Sequence, residues 1–388
     1  MDSLSTISDK ERAADEAAQS GRIAEARQLL DEVVAENPGS LGLHLKRAAM
    51  ARAAGDPHGA LGALSDALSV QPLDFMALLM RANLLDQLGS PEAGEAYGRA
   101  LAQRPEGALP LPVAAMVERA AARHEDYTAA TARRLEAAMA AAERQATADE
   151  RARLARFRSN ALRQTRVFHA EPTHFHYPGL REREFHDRSL FPWLEALEAA
   201  TDEIEAEFHR VAQAERAELV PYIQYSSDVP LRQWEALNHS RAWTAIHLLQ
   251  NGRRIEANAR HCPATMQLFS QLPQPQVPGR SPNAMFSLLA PRTRIPPHNG
   301  VANTRLVCHL PLVVPPACRF RVGAETRPWE RGSAFVFDDT IEHEAVNDSD
   351  KLRVVLIFDI WHPDLGPVER EAVTAMMLAC EEATGAAL

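Results

Sequence analysis

The sequence predicts a chain in two parts: an all-α helical-repeat solenoid, then a β-sandwich or jelly roll with flanking helices. Three observations predict it. Residues 1–165 are dominated by alanine, leucine, glutamate and arginine and lack strand-favouring runs. Within them, glycines recur at a fixed interval. From Ala284 onward, short apolar runs alternate with Pro, Gly, Asn and Asp turns. A length of 388 residues suits two or three domains at roughly 150 residues each.

The repeat is read from its punctuation. Gly21, Gly55 and Gly89 are 34 residues apart, Pro38 and Pro72 share that interval, and Pro105 falls one residue short of it. GRIAEARQLLDEVVAENP, GDPHGALGALSDALSVQP and GSPEAGEAYGRALAQRP are therefore copies of one motif, in which the glycine closes a helix–helix loop and the proline ends the second helix. Ala26 and Ala60, with Ala48 and Ala82 in the preceding helices, mark close helix crossings where only a small side chain fits. The period resembles that of tetratricopeptide repeats, although the usual large aromatics are sparse. A solenoid groove of that kind suits extended peptides.

Residues 112–164 contain no glycine and no proline beyond the start, and read as two or more helices, the later one long and charged. They predict a cap on the solenoid. Near Glu171 the composition changes. FPWLEALEAATDEIEAEFHRVAQA has the spacing of one helix, and LRQWEALNHSRAWTAIHLLQNG mixes a helix with a strand-like end. AMFSLLAP, TRLVCHLPLVV, CRFRVG, SAFVFD and LRVVLIFDIW then read as short strands. The expected boundaries are 1–110 for the repeats, 111–168 for the helical cap and 169–388 for the β-rich domain.

Composition excludes some partners. With 52 acidic against 42 basic residues, a net charge of -10 argues against a nucleic-acid protein held through phosphates. Four scattered cysteines form no disulfide framework and no CxxC zinc site. The polar, acidic first residues read as no signal peptide, and no apolar run is long enough to span a membrane. A cytoplasmic setting is expected.

Two of the 15 histidines stand out. His298 lies in RIPPHNG and His343 in FDDTIEHEAVND, both at strand–turn junctions where neighbouring prolines or turns fix the backbone. Imidazole nitrogen suits Fe(II), and a jelly roll brings distant strand ends together. Arg353 stands within the apolar run LRVVLIFDIW, where a buried guanidinium needs a partner: a structural aspartate, or an incoming carboxylate clamped bidentately. Arg305 and His309 are four residues apart in a strand, hence on one face.

PHNGVANTRLVCHLPLVVP and WERGSAFVFDDTIEHEAVNDSDKLRVVLIFDIWHPDL resemble the aspartyl/asparaginyl β-hydroxylase family. FDDxxxHE, an arginine ten residues after the histidine and D-x-WHP-[DE]-L carry the likeness. HFHYPGL, FPWLEALE, QNGRR and HCPATMQLF extend it over Thr173–Leu365. Vertebrate members also carry tetratricopeptide repeats before the catalytic domain. The resemblance implies a double-stranded β-helix that uses Fe(II), 2-oxoglutarate and O2 to hydroxylate an unactivated C–H bond. His298 and His343 would be the iron ligands; Ser287 and Arg353 would hold the distal carboxylate of 2-oxoglutarate, His309 its iron-proximal end, and Arg305 a substrate carboxylate. His298-Asn299-Gly300 replaces the HxD of most such oxygenases, as is usual in this family. Val307 is a departure: a family enzyme has a second arginine there, which bears on co-substrate anchoring or substrate choice.

The expected substrate is the β-carbon of Asp, Asn or a related residue in a peptide or protein recruited by the repeats. A free amino acid, a lipid and a natural-product intermediate stay open as small-molecule substrates, and halogenation stays open as the outcome. The contrasting reading, a non-catalytic repeat scaffold, is opposed by intact His298, His343 and Arg353. Asp338 and Asp339 read as a turn that hydrogen-bonds around the ligands, with metal ligation the alternative; Trp361 and His362 read as anchors of the last strand, with a direct site role the alternative for His362. Tyr222, Tyr225 and Trp234 are open between pocket and core, Arg292 and Arg294 between an acidic substrate and solvent.

Overall fold

Gly21, Gly55 and Gly89 adopt φ of 75°, 74° and 66°, the left-handed conformation that lets a helix end and the chain turn back. In each turn an N–H three residues past the helix (Arg22, Asp56, Ser90) donates to a carbonyl in the last helical turn (Ala17, Ala51, Leu85). The computed structural model describes residues 2–214, 219–226, 228 and 230–384. It divides into two compact units, Met1–Gln164 and Thr165–Leu388.

The first unit is a helical array. α1 (Asp2–Gln19) and α2 (Ile23–Glu36), α3 (Leu41–Ala53) and α4 (Pro57–Val70), and α5 (Phe75–Gln87) and α6 (Ala93–Leu101) form three hairpins. Ser40, Asp56 and Asp74 accept the N–H groups of Leu43, Gly59 and Ala77 and so start α3, α4 and α5. Ala26, Ala48, Ala60 and Ala82 are completely or almost completely buried, the contacts that small residues allow.

The third copy departs from the first two. Where they carry Ala26 and Ala60, it has Gly94, and a Cβ there would collide with the ring of Tyr127; one on Gly98 would collide with His124. The backbone of α6 thus lies directly on α7 (Leu111–Gln145). The glycine interval next falls on Arg123, whose guanidinium pairs with Asp86 at 2.9 and 3.1 Å. No turn forms there, and α7 runs on for 35 residues. The long helix of the 112–164 region is therefore the earlier one; α8 (Ala148–Ala161) has 14 residues. The break between them is made by a reciprocal cap, Thr147 bonding the Glu150 N–H while the Glu150 carboxylate accepts from Thr147 N.

The second unit opens with α9 (Leu194–Ala199) and α10 (Thr201–Ala212), two helices where the spacing reads as one, parted at Ala200. Strands follow: β1 (Leu219–Pro221), β2 (Trp243–Gln250) and β3 (Arg253–Arg254), then the short helices α11 (Glu256–Ala259) and α12 (Pro263–Phe269). Next come β4 (Ala284–Leu289), β5 (Thr293–His298), β6 (Arg305–Val313), β7 (Cys318–Val322), β8 (Glu325–Pro328), β9 (Phe335–Phe337), β10 (His343–Asn347) and β11 (Arg353–Trp361), closed by α13 (Pro367–Thr384). LRQWEALN is not a helix beyond a single 3-10 turn at Arg232–Trp234.

The larger sheet has the order β1-β2-β4-β11-β6-β9 with β3 beside β2; the smaller has the order β5-β10-β7-β8. Every strand pairing is antiparallel, and the two sheets form a jelly roll. Period 2 sorts the central strands. On β11, Val354, Leu356, Phe358 and Ile360 pack with Leu194, Ile204, Phe208 and Phe269 under the helices. Val355 and Ile357 face inward with Phe320 and Val322 of the smaller sheet. With both faces covered, β11 reads as an almost unbroken apolar run, and its inward Arg353 and Asp359 are exceptions that need partners. Among the described residues no helix is long and apolar enough to cross a membrane.

Candidate active site

The two strand ends named by the sequence meet. His298 closes β5, within the strand rather than after it, and His343 opens β10; the two are register partners across the antiparallel pair. Their ring centroids are 4.0 Å apart. β5 is an edge strand, which is why Pro296 and Pro297 are tolerated in it. Each ring is oriented in the same way: Nδ1 of His298 bonds the carbonyl of Pro296 at 2.8 Å, and Nδ1 of His343 that of Ile341 at 3.1 Å. A carbonyl only accepts, so both Nδ1 atoms carry the proton and both Nε2 lone pairs are open. That is the tautomer a metal-ligating histidine needs. Burial pushes both pKa values down, that of His343 well below the usual range, with His298 reinforcing it. Both rings are thus held neutral.

The position of the absent triad carboxylate is filled. A side chain at Gly300 would run into the Asp339 carboxylate, and Gly300 N–H donates to Asp339 O at 2.6 Å. Asp339 Oδ2 accepts from Arg305 Nη2 at 3.1 Å, while its buried Oδ1 has no partner. Asp338 instead caps the turn, its Oδ1 accepting Thr340 N–H at 2.9 Å. No cluster of three or more His, Cys, Asp or Glu side chains arranged for a metal occurs among the described residues; the histidine pair is what could hold one.

Arg353 is the largest fully buried side chain, 1% exposed. It makes hydrogen bonds to Ser287 O at 3.1 Å and Ser287 Oγ at 3.4 Å, and its Nε is buried with no partner. No carboxylate pairs with it among the described residues, and burial lowers its pKa to about 10. An unpaired guanidinium in a protein core calls for an anionic ligand. Ser287 is held in turn by Trp243 Nε1 at 3.0 Å. Arg305, Val307 and His309 share the inward face of β6, alternating with Leu306, Cys308 and Leu310 of the helix-covered core. His309 is ringed by Phe320, Phe335 and Phe337 at 4.8–5.4 Å. Burial, then Arg353, drives its pKa well down. Val307 is buried opposite Asp359, which bonds Ser281 and Asn283 instead.

Around this centre, Trp234 stands edge-on to His298 at 5.0 Å, and Tyr222 stacks on Trp243 at 3.8 Å. Tyr225 is exposed. Arg292 and Arg294 are exposed and paired with Asp350 and Glu344. His362 anchors its strand end, bonding Arg181 O and accepting the Asp364 N–H. Trp243 and Trp329 touch Ser287 and His309, and no motif in the sequence singles them out. Trp243 opens the strand WTAIHLLQ and Trp329 stands at the head of WERGSAFVFDD.

The family model for aspartyl/asparaginyl beta-hydroxylase matches residues 198–363. Human aspartyl/asparaginyl beta-hydroxylase is 32% identical over 186 residues, 48% of this chain and 24% of that protein. The ornithine lipid ester-linked acyl 2-hydroxylase of Rhizobium tropici is 33% identical over 201 residues, 51% of this chain and 67% of its own length. Human aspartate beta-hydroxylase domain-containing protein 2 is 36% identical over 137 residues, 34% of this chain and 37% of that protein. The chain thus spans about a quarter of the mammalian β-hydroxylases it matches. Among solved structures, the Sgt2 tetratricopeptide domain of Aspergillus fumigatus aligns over 31% of the chain and 80% of its own, at a TM-score of 0.28 and 17% identity, too slight a likeness to argue from.

Proposed function

We propose, from the premise that the chain belongs to the aspartyl/asparaginyl β-hydroxylase family, that its second unit is an Fe(II)- and 2-oxoglutarate-dependent dioxygenase. Its reaction replaces an unactivated C–H bond with C–OH, at the β-carbon of Asp, Asn or a related residue in a peptide or protein. The observation that carries this reading is Arg353, buried without a counter-charge beside Ser287, in the same β-sandwich as two histidines with open Nε2 atoms.

His298 and His343 would hold the metal, and Arg353 with Ser287 the distal carboxylate of 2-oxoglutarate. When bound, metal, 2-oxoglutarate and O2 supply the oxidising power for hydroxylation, with succinate and CO2 as co-products. The chain's own work is placement. Arg353 exchanges its unpaired state for a bidentate ion pair, His309 meets the iron-proximal end, and Arg305 offers one guanidinium edge to a substrate carboxylate while Asp339 holds the other. Trp234 and Trp243 exclude water around His298. The helical repeats would recruit a peptide or protein; neither nucleic acid nor membrane is part of the reading, and a reducing, cytoplasmic setting suits the unbridged cysteines.

A lipid or other small molecule is the second reading. It is favoured by the acyl 2-hydroxylase relative, of which the chain covers the larger share, and by apolar Val307. The test is anaerobic calorimetry of Fe(II) and 2-oxoglutarate binding, then succinate release with Asp or Asn peptides against acylated amino acids. Binding of neither iron nor 2-oxoglutarate by the wild type would overturn the oxygenase reading; turnover of acyl substrates alone would overturn the peptide one.

A further inference from the structure

We propose that Trp329 is the positioning residue of the co-substrate pocket, fixing the tautomer of His309 with its indole N–H and carrying the Arg353 guanidinium on its ring; the proposal rests on the oxygenase reading. Trp329 follows β8 and is 4% exposed. Its Nε1 lies 3.4 Å from His309 Nδ1. Indole nitrogen only donates, so His309 Nδ1 must accept and its proton must sit on Nε2. That tautomer leaves Nε2–H free to donate to a ligand carboxylate, which the other tautomer could only repel with a lone pair. The Arg353 Cζ lies 4.8 Å from the centroid of the indole ring, close enough for a cation–π contact with a charge that has no carboxylate partner. The indole is itself fixed by stacking on Phe320, 5.3 Å away at 26°. One side chain thereby links the two groups assigned to opposite ends of 2-oxoglutarate.

Trp329→Phe keeps a ring under Arg353 and against Phe320 but removes the N–H. Selective 15N-histidine spectra should show wild-type His309 as the Nε2–H tautomer and the variant as a mixture. In anaerobic calorimetry with Fe(II), the 2-oxoglutarate Kd should rise about tenfold, the scale of one hydrogen bond to a charged group. KM for 2-oxoglutarate should rise with it while KM for the organic substrate stays put. In a His309→Leu background, Trp329→Phe should cost far less, because the contact it served is already gone. An Nδ1–H tautomer in the wild type overturns the proposal even if the variant fails to fold. So does unchanged 2-oxoglutarate affinity in Trp329→Phe, or an equal loss in the His309→Leu background. If the wild type binds no 2-oxoglutarate, the oxygenase reading falls and takes this role with it; wild-type binding with an unaffected variant removes only the role of Trp329.

Discussion

Asp339 occupies the space that a side chain at position 300 would need. Its carboxylate lies against the Cα of Gly300, its backbone oxygen accepts the Gly300 N–H, and its Oδ2 is tied to Arg305. The glycine in His298-Asn299-Gly300 is therefore a fitted part of the site: the loop passes so close to Asp339 that position 300 has no room for a Cβ.

Gly300→Asp should accordingly fail to install a third metal ligand. The expected result is Fe(II) affinity at least tenfold weaker than wild type, measured by anaerobic calorimetry, because the loop must shift to admit the side chain. Gly300→Asp with Asp339→Gly opens the space and should recover part of that loss. Tighter iron binding in the single variant would contradict the steric argument.

Arg353→Met separates stability from binding. Removing a buried charge that lacks a partner relieves a desolvation cost, so the ligand-free variant should melt at or above the wild-type temperature. Adding 2-oxoglutarate and metal should stabilise the wild type, by about 2.7 kcal/mol at a hundred times Kd, and leave the variant unmoved. A large destabilisation of the ligand-free variant would mean that the arginine is structural.

His186 gives the second unit an acid-sensitive element. Both its ring nitrogens are buried without partners, and it stands edge-on to His362 at 5.3 Å. Burial, then His362 and nearby arginines, lowers its pKa from 6.5 to about 3. The unfolded imidazole takes a proton near pH 6.5, and the folded one refuses it until far lower. Stability should therefore fall as pH drops below 6.5, by about 1.4 kcal/mol per unit from this group. His247, lowered by burial to about 4, acts in the same sense. Denaturant melts between pH 6.5 and 5 should show a shallower decline for His186→Phe than for wild type, and parallel slopes would rule this out.

Gly94→Ala tests the closest helix contact of the first unit. Its Cβ would overlap the Tyr127 ring, so about 1–3 kcal/mol of destabilisation is expected despite the better helix propensity of alanine. Chemical denaturation followed by helical circular dichroism measures it. Adding Tyr127→Ala should make the Gly94 substitution nearly neutral.

The parts of the fold legible in the sequence were those whose signals are local. The hairpin glycines, the buried alanines and strands β4, β6, β7, β9 and β11 all declare themselves by turn chemistry or continuous apolar runs. β5 and β10 do not: TRIPPH carries two prolines and HEAVN alternates only weakly, because one is an edge strand and both hold site residues. A break within residues 112–164 is expected, but glycine and proline do not mark where it falls, since Thr147 and Glu150 make it through side-chain hydrogen bonds. At the site, His298, His343 and Arg353 were legible because polar residues in special backbone or apolar settings need a reason. Trp329 was not: an indole in a β-rich run looks like core until the atoms beyond its nitrogen and its face are known.

Arg123 gives the helical array its length. The three earlier positions in its series turn the chain back; the fourth carries an arginine in place of glycine, paired with Asp86, and the helix continues through it. The array is thus closed at one end by sequence rather than by running out of chain. Further copies of the 34-residue unit would have to be spliced in upstream of α7, and a glycine at 123 would be the first edit needed to extend the array beyond it.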